Sequence, residues 1–158
     1  MVRLIPMTED EFQAYYTGAV EEYAEEHVKS GNWQPSEALE KSEKEYRHYL
    51  PNGVASPNQY LFSIEDTESG AKVGMIWFEL REQAQHRSAF IYDFRIDEAF
   101  RRRGYGRQTL SALEEKAKEL GIETIALHVF GHNQAAVALY QKSGYEITNL
   151  HMAKKLGD

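Results

Sequence analysis

The sequence of 158 residues contains no cysteine. This absence excludes disulfides, thiolate metal sites and an acyl-cysteine intermediate. No run of eighteen consecutive apolar residues occurs, so we predict no membrane-spanning helix. The residues before Thr8 have no long apolar core, so we expect no signal peptide. Together these absences lead us to expect a cytoplasmic protein.

Positive charge is scarce relative to negative charge. The chain has 18 lysines and arginines against 25 aspartates and glutamates, a formal net charge of −7. Nucleic acids and anionic membranes are polyanions, so we expect neither as a partner. The same balance leaves room for a cationic substrate. The length fits a single domain that spans residues 1–158.

Hydrophobic spacing changes along the chain, which predicts an α+β fold with helices packed on one mixed sheet. Thr8 and Glu11 have capping-box spacing, and the apolar residues after them recur at intervals of three and four. In chain order we predict a strand over 2–7, helices from 8 and from 36, strands over 60–65 and 72–80, a polar turn over 81–88, a strand over 89–97, a helix over 102–120, a strand over 124–130, a helix from 133 to 143, and a closing strand or strands over 145–154.

A basic, glycine-containing turn stands between a predicted strand and a predicted helix, at residues 101–106. Free amides at a helix N-terminus bind anions, glycine lets them approach a bulky phosphate, and arginine adds charge-assisted hydrogen bonds. The alternative is an ordinary helix start with solvated arginines. The sequence has no G-x-x-x-x-G-K-[ST] loop, and Thr109 stands where a G-x-G-x-x-G/A motif has its third small residue.

Two motifs carry a resemblance to a known family. Arg101-x-x-Gly104-x-Gly106 matches the Q/R-x-x-G-x-G/A signature of the GCN5-related N-acetyltransferase (GNAT) family. Downstream, residues 133–145 resemble the family segment N-x-x-A-x-x-L-Y-x-x-x-G-F, with Tyr145 in place of the usual phenylalanine. The resemblance is strong over residues 89–145. It implies a GNAT-like, mostly antiparallel central sheet flanked by helices, with splayed fourth and fifth strands.

The resemblance also implies an activity, namely acetyl transfer from acetyl-CoA to a primary amine by direct transfer in a ternary complex. The pantetheine arm would lie in the gap between the splayed strands, and Tyr140 would direct its hydroxyl at the thioester sulfur. The implied cofactor-binding residues are Phe94, Arg95, Ile96, Arg101, Arg102, Arg103, Gly104, Tyr105, Gly106, Arg107, Asn133 and Tyr140. The alternative for Asn133 is a plain N-cap, and for Tyr140 a core aromatic role, over which the motif spacing leads us to favour the functional one.

The general base and the acceptor are less constrained. Asp93 is a candidate base beside a structural role, and His128 stands where some family members carry a catalytic glutamate. For His128 we favour a hydrogen-bonded place inside the sheet over a metal pair with His132, and we expect no metal. Acidic and aromatic residues of the N-terminal helices suit a cationic acceptor such as a polyamine, an aminoglycoside or a peptide N-terminus: Glu21, Glu22, Glu25, Glu26, Tyr15, Tyr16, Tyr23 and Trp33.

Other functions remain open at this stage. Within enzymes, O-acylation or a longer acyl-CoA is the alternative. In a different class, the same fold serves as a non-catalytic acyl-CoA-binding or sensing module. The expected partners are therefore acetyl-CoA and an amine acceptor, and a homodimer is left open.

Overall fold

The computed structural model describes residues 1–157. The strands are β1 (Val2–Pro6), β2 (Gln59–Asp66), β3 (Lys72–Gln83), β4 (His86–Ile96) and β5 (Thr124–Leu127). The α-helices are α1 (Glu9–Lys29), α2 (Ala38–Tyr49), α3 (Tyr105–Glu119) and α4 (Gln134–Lys142). No helix within residues 1–157 is long and apolar enough to cross a membrane.

The strands form one sheet in the order β1-β2-β3-β4-β5. Strands β1 to β4 pair antiparallel with one another, and β5 is parallel to β4. The crossover from β4 to β5 runs through α3, because parallel neighbours need a long connection. This arrangement confirms the predicted α+β fold with a mixed, mostly antiparallel sheet.

The core lies on both faces of the sheet, because alternate side chains of a strand point to opposite faces. One cluster joins α1 and α2 to the sheet and includes Phe12, Val20, Tyr46, Leu61, Met75 and Trp77. The other joins α3 to the opposite face and includes Phe62, Ile76, Phe78, Ile91 and Leu113. The sheet is therefore a fixed platform between two helical layers.

The start of α1 follows the predicted capping box. The Thr8 hydroxyl accepts from the Glu11 amide at 3.1 Å, and the Glu11 carboxylate accepts from the Thr8 amide at 3.0 Å. Two other boundaries differ from the prediction. The cap of α2 is Glu37 rather than Ser36, and α3 starts at Tyr105 rather than at Arg102.

The predicted polar turn over 81–88 is wrong. Strands β3 and β4 continue through it, and only Ala84 and Gln85 turn, with φ of 48° and 70°. Two consecutive residues with positive φ match the twist of a two-residue hairpin. The arms are polar because they extend beyond the core, and the ion pair Arg87–Glu82 joins them.

The predicted closing strand over 145–154 is also wrong. Residues 145–157 form neither helix nor strand, and they pair with no strand among the described residues. The last strand of the sheet, β5, is also shorter than predicted and ends at Leu127. The sheet within residues 1–157 therefore ends at an open β5 edge.

Candidate active site

A gap opens between β4 and β5. The two strands pair only from Ser88 with Thr124 to Ile91 with Leu127. Beyond Ile91, β4 continues to Ile96 without a partner on that side. The β3–β4 register shifts at this point, because Trp77 pairs with Asp93 and Phe78 with Ile91, which leaves Tyr92 as an extra residue. Such a bulge bends a strand, and the predicted splay is confirmed.

The basic turn follows the free end of β4 and presents unpaired amides. Arg102 has φ of 64° and Gly104 has φ of 84°, so the chain folds tightly just before α3. The Gln108 amide is the first to donate within the helix, to the Gly104 carbonyl at 3.1 Å. The amides of residues 102–107 donate to no acceptor within residues 1–157. Together with the helix dipole, they give this turn the features that suit an anion.

Two glycines allow close packing around this turn. A Cβ on Gly106 would stand 3.0 Å from Leu139 Cδ2, so the first turn of α3 lies against α4. A Cβ on Gly74 would stand 2.1 Å from the Arg95 carbonyl oxygen, so β3 closely approaches the end of β4. The role of Gly74 was missed from sequence, because it depends on the strand opposite.

Side chains also brace the turn. The Arg101 guanidinium donates to the Ile96 carbonyl at 2.8 Å, which occupies one of the backbone groups predicted to bind the pantetheine arm. The Tyr105 hydroxyl donates to Asp66 Oδ2 at 2.6 Å and fixes the start of α3 to β2. Arg102 and Arg103 are exposed and donate to no group within residues 1–157. They are the two arginines of the turn that are free to meet an anion.

Tyr140 lies across the gap on α4. Asn133 caps this helix, with its side-chain oxygen accepting from the Ala136 amide at 3.3 Å, as the N-cap alternative expects. The Tyr140 ring lies 6.4 Å from the Phe94 ring between centroids. Burial raises the pKa of Tyr140, and the negative charge of Asp93 adds to the rise. The hydroxyl is therefore protonated at neutral pH, and none of the hydrogen bonds within residues 1–157 involves it.

Asp93 belongs to a charged network beneath α1. Its Oδ2 accepts from the Tyr15 hydroxyl at 2.6 Å and from Arg95 Nη2 at 3.0 Å. The Arg95 guanidinium also pairs with Glu22 of α1, so this side chain faces α1 and only its backbone adjoins the gap. Burial and the nearby Asp93 charge raise the pKa of Tyr15, which keeps it a donor. Sequence reasoning missed the link from Tyr15 to Asp93 because it joins residues far apart in the chain.

The four glutamates of α1 divide between two faces. Glu22 pairs with Arg95, and Glu26 pairs with His132 of the segment before α4. By contrast, Glu21 and Glu25 border a groove between α1 and α2 with a volume of about 490 Å³. Only Glu22 and Glu26 therefore face the side of α1 on which Asp93 lies.

An aromatic cluster lies at the C-terminal end of α1. The His27 ring stacks on Trp33 at 3.9 Å and meets Phe130 edge-on at 5.2 Å. Burial lowers the pKa of His27, which keeps the ring neutral. The predicted place for His128 inside the sheet is wrong, because the residue is exposed just after β5 and contacts the Phe130 ring edge-on at 5.0 Å. It is exposed because β5 is an edge strand.

Comparison with known proteins agrees with this architecture. Residues 10–145 match the acetyltransferase (GNAT) family. The splayed strands, the glycine turn and the tyrosine on the last helix are what its signatures led us to expect. The chain belongs to the GNAT family and is an acetyltransferase.

Two relatives from Bacillus subtilis (strain 168) match nearly the whole chain. The uncharacterized N-acetyltransferase YdgE is 44% identical over 150 residues, which are 95% of each chain. The uncharacterized N-acetyltransferase YycN is 39% identical over 155 residues, 98% of this chain and 99% of its own. The crystal structure of YycN, a putative acetyltransferase, superposes over 100% of both chains with a TM-score of 0.94.

Proposed function

We propose that this protein transfers the acetyl group of acetyl-CoA to a primary amine, directly, within a ternary complex. The observation that supports this proposal most strongly is the row of unpaired amides at residues 102–107. These amides lie beside the gap between β4 and β5, on the side of α4, the helix that carries Tyr140. The proposed acceptor is a small cationic amine, an aminoglycoside or a peptide or protein N-terminus.

The fit of the turn to a diphosphate supports acetyl-CoA as the donor. The free amides and the start of α3 supply a positive field, and the exposed guanidinium groups of Arg102 and Arg103, which donate no hydrogen bond within residues 1–157, add two cations. Gly104 has no side chain to obstruct a phosphate at this point of the turn, and the nearest atom to an added Cβ would be Gln108 Nε2 at 3.8 Å. The edge of β4 that faces the gap, at Phe94, Arg95 and the amide of Ile96, with Asn133 opposite, suits an extended pantetheine arm, while the Ile96 carbonyl accepts from Arg101.

The chemistry assigns different tasks to Tyr140 and Asp93. As the amine nitrogen bonds to the acetyl carbon, negative charge develops on the thioester oxygen and the carbon–sulfur bond breaks. Tyr140, protonated and without an internal partner, hydrogen-bonds the departing sulfur. A free thiol has a pKa of about 8.5, below that of tyrosine at about 10, so full proton transfer is not required. Asp93 accepts the amine proton through Oδ1, directly or through water, while Oδ2 is held by Tyr15 and Arg95.

The acceptor side supports a cationic amine. Glu22 and Glu26 lie four residues apart on one face of α1, near Asp93 and the aromatic rings of Phe130 and Trp33. The Arg95 guanidinium in this region is already paired with Asp93 and Glu22, and the His132 ring contacts Glu26. The region as a whole therefore attracts positive charge.

The first experiment tests the reaction itself. The protein is incubated with acetyl-CoA and a panel of polyamines, aminoglycosides and peptides, and free thiol is followed together with the acetylated product. We expect thiol release that depends on one class of amine. Tight acetyl-CoA binding without thiol release for any amine would favour the non-catalytic alternative.

A second experiment tests the acceptor class with a matched control. The double variant Glu22→Gln/Glu26→Gln should raise KM for a polycationic amine and flatten its dependence on salt, because salt screens such attraction. The control Glu21→Gln/Glu25→Gln changes the net charge equally but on the other face, so it should leave KM near the wild-type value. Equal KM values for both variants would show that these carboxylates do not select the acceptor.

A further inference from the structure

Glu45 of α2 is a half-buried carboxylate without a cation beside it. It forms no ion pair with a lysine, arginine or histidine within residues 1–157. Lys41, one turn earlier on α2, pairs with Glu37 instead. A charge that is partly removed from water normally has a partner of opposite sign. The position of Glu45 therefore favours a cation from outside the chain.

The groups around Glu45 do not neutralise its charge. Burial raises the pKa of Tyr23, and the nearby Glu45 carboxylate adds to the rise through hydrogen bonding and charge. Burial lowers the pKa of His27, although the charge of Glu45 acts in the opposite direction, so the imidazole is neutral at neutral pH. The His27 Nδ1 atom lies 3.0 Å from Asn32 Nδ2, and its Nε2 atom is buried without a hydrogen-bond partner. Both neighbours of Glu45 are therefore uncharged.

Aromatic rings lie beside the same carboxylate. The His27 ring stacks on Trp33 at 3.9 Å, and the Tyr23 ring meets these two rings edge-on at 4.6 and 5.7 Å. On α2, Tyr49 shares a face with Glu45, because residues four apart are neighbours on a helix. The face of an aromatic ring attracts an ammonium group. A carboxylate among such rings is therefore suited to bind an alkylammonium ion.

The face of α2 that carries Glu45 and Tyr49 leads to Asp93. The Tyr49 ring contacts the Tyr92 ring at 4.7 Å, and Tyr92 directly precedes Asp93 in β4. Tyr92 packs against the cluster that joins α1 and α2 to the sheet, and Asp93 bonds to Tyr15 of α1, so both side chains face this helical layer. An acceptor whose amine lies at Asp93 can therefore extend along the two tyrosine rings toward Glu45.

Two other carboxylates of this region already contact a basic group. Glu22 pairs with Arg95, and Glu26 contacts the His132 ring. Of these three glutamates, Glu45 is the one without such a contact within residues 1–157. An incoming ammonium group therefore meets the least competition at Glu45.

We propose that Glu45 binds a second cationic group of the acceptor while the amine to be acetylated lies at Asp93. This inference rests on the proposed transfer of an acetyl group to an amine, and it narrows the acceptor to a linear diamine or polyamine. The rings of Tyr49 and Tyr92 contact the methylene chain that separates the two nitrogens. A monoamine of the same length leaves Glu45 without a partner.

The first test measures binding and needs no acetyl transfer. A series of linear α,ω-diamines and the alkyl monoamines of equal length are titrated by calorimetry into the protein, with and without coenzyme A. We expect the best diamine to bind about tenfold more tightly than its monoamine, since a hydrogen bond to a charged group contributes at least about this factor. The preference should disappear in Glu45→Gln, with its fold checked by circular dichroism. It should persist in Glu40→Gln, which removes the same charge from an exposed position of α2. A diamine that binds the wild type no better than its monoamine, or a preference that survives Glu45→Gln, would overturn the proposal.

Steady-state kinetics separate this proposal from the proposed reaction. Glu45→Gln should raise KM for the diamine about tenfold, leave KM for the monoamine near the wild-type value, and alter kcat little for either. If both amines are acetylated with the same KM by the wild type and by Glu45→Gln, acetyl transfer stands and the role of Glu45 is refuted. If neither amine is acetylated but the preference in binding depends on Glu45, the cation site stands and the proposed reaction fails.

Discussion

The substitution Gly104→Ala probes the anion-binding turn through its backbone. Gly104 has φ of 84°, and the nearest atom to an added Cβ would be Gln108 Nε2 at 3.8 Å. Space is therefore available, and the expected cost comes from conformation alone. A left-handed conformation costs an L-residue about 1–2 kcal/mol. The reduced freedom of the unfolded chain offsets about 0.4–1 kcal/mol of this.

We therefore expect Gly104→Ala to lower the free energy of unfolding by about 1 kcal/mol, or the midpoint of thermal unfolding by about 2–4 °C. If the turn instead relaxes, acetyl-CoA must restore its geometry on binding. That restoration would weaken affinity by about 5- to 30-fold, since each 1.4 kcal/mol is a factor of about ten. Urea unfolding and titration calorimetry measure the two effects.

Gly18→Ala is the matched control. Gly18 lies inside α1 without positive φ, and no atom stands within 4 Å of an added Cβ. Alanine there should raise stability by about 0.5–1 kcal/mol and leave acetyl-CoA affinity unchanged. If Gly104→Ala matched this control in both stability and affinity, the conformational argument for the turn would be refuted.

Two further predictions concern Tyr140 and pH. Tyr140→Phe should lower kcat more than it weakens acetyl-CoA binding, and an unaltered kcat would show that Tyr140 only packs. Because the pKa of Tyr140 is raised, ionisation of its hydroxyl should not reduce the wild-type kcat below about pH 10. Hydrogen bonding by the Thr8 amide, with help from Lys72 and Ser63, lowers the pKa of Glu11 below 4.5. The contribution of the Glu11 carboxylate to stability is therefore present above pH 4.5 and lost as pH falls through the lowered pKa. The stability difference between wild type and Glu11→Gln, measured by urea unfolding, should shrink in acid. A difference that does not change with pH would contradict this.

Local signals predicted the glycine turn and two of the helix caps, although the cap of α2 was placed one residue too early. The Gly104 and Gly106 spacing, the capping box at Thr8 and the cap at Asn133 each act over a few residues, so the sequence alone contains them. The position of Asp93 beside Tyr15, and the need for glycine at position 74, depend on partners from distant strands and helices. Sequence periodicity cannot supply such pairs.

Residues 145–154 illustrate a different limit. The sequence predicted a closing strand there, but composition does not say which strand would lie beside it, and these residues pair with none among those described. The polar arms of the β3–β4 hairpin were missed for a related reason, since strands that extend beyond the core need no apolar alternation.

The role of the glycine turn in acetyl-CoA binding is tested most directly by titration calorimetry of acetyl-CoA with the wild type and with Gly104→Glu. The added carboxylate would stand among the unpaired amides and repel the diphosphate. The account predicts saturable binding to the wild type and loss of most of that affinity in the variant, with its fold checked by circular dichroism. Unchanged affinity in a folded Gly104→Glu protein would contradict the assignment of this turn.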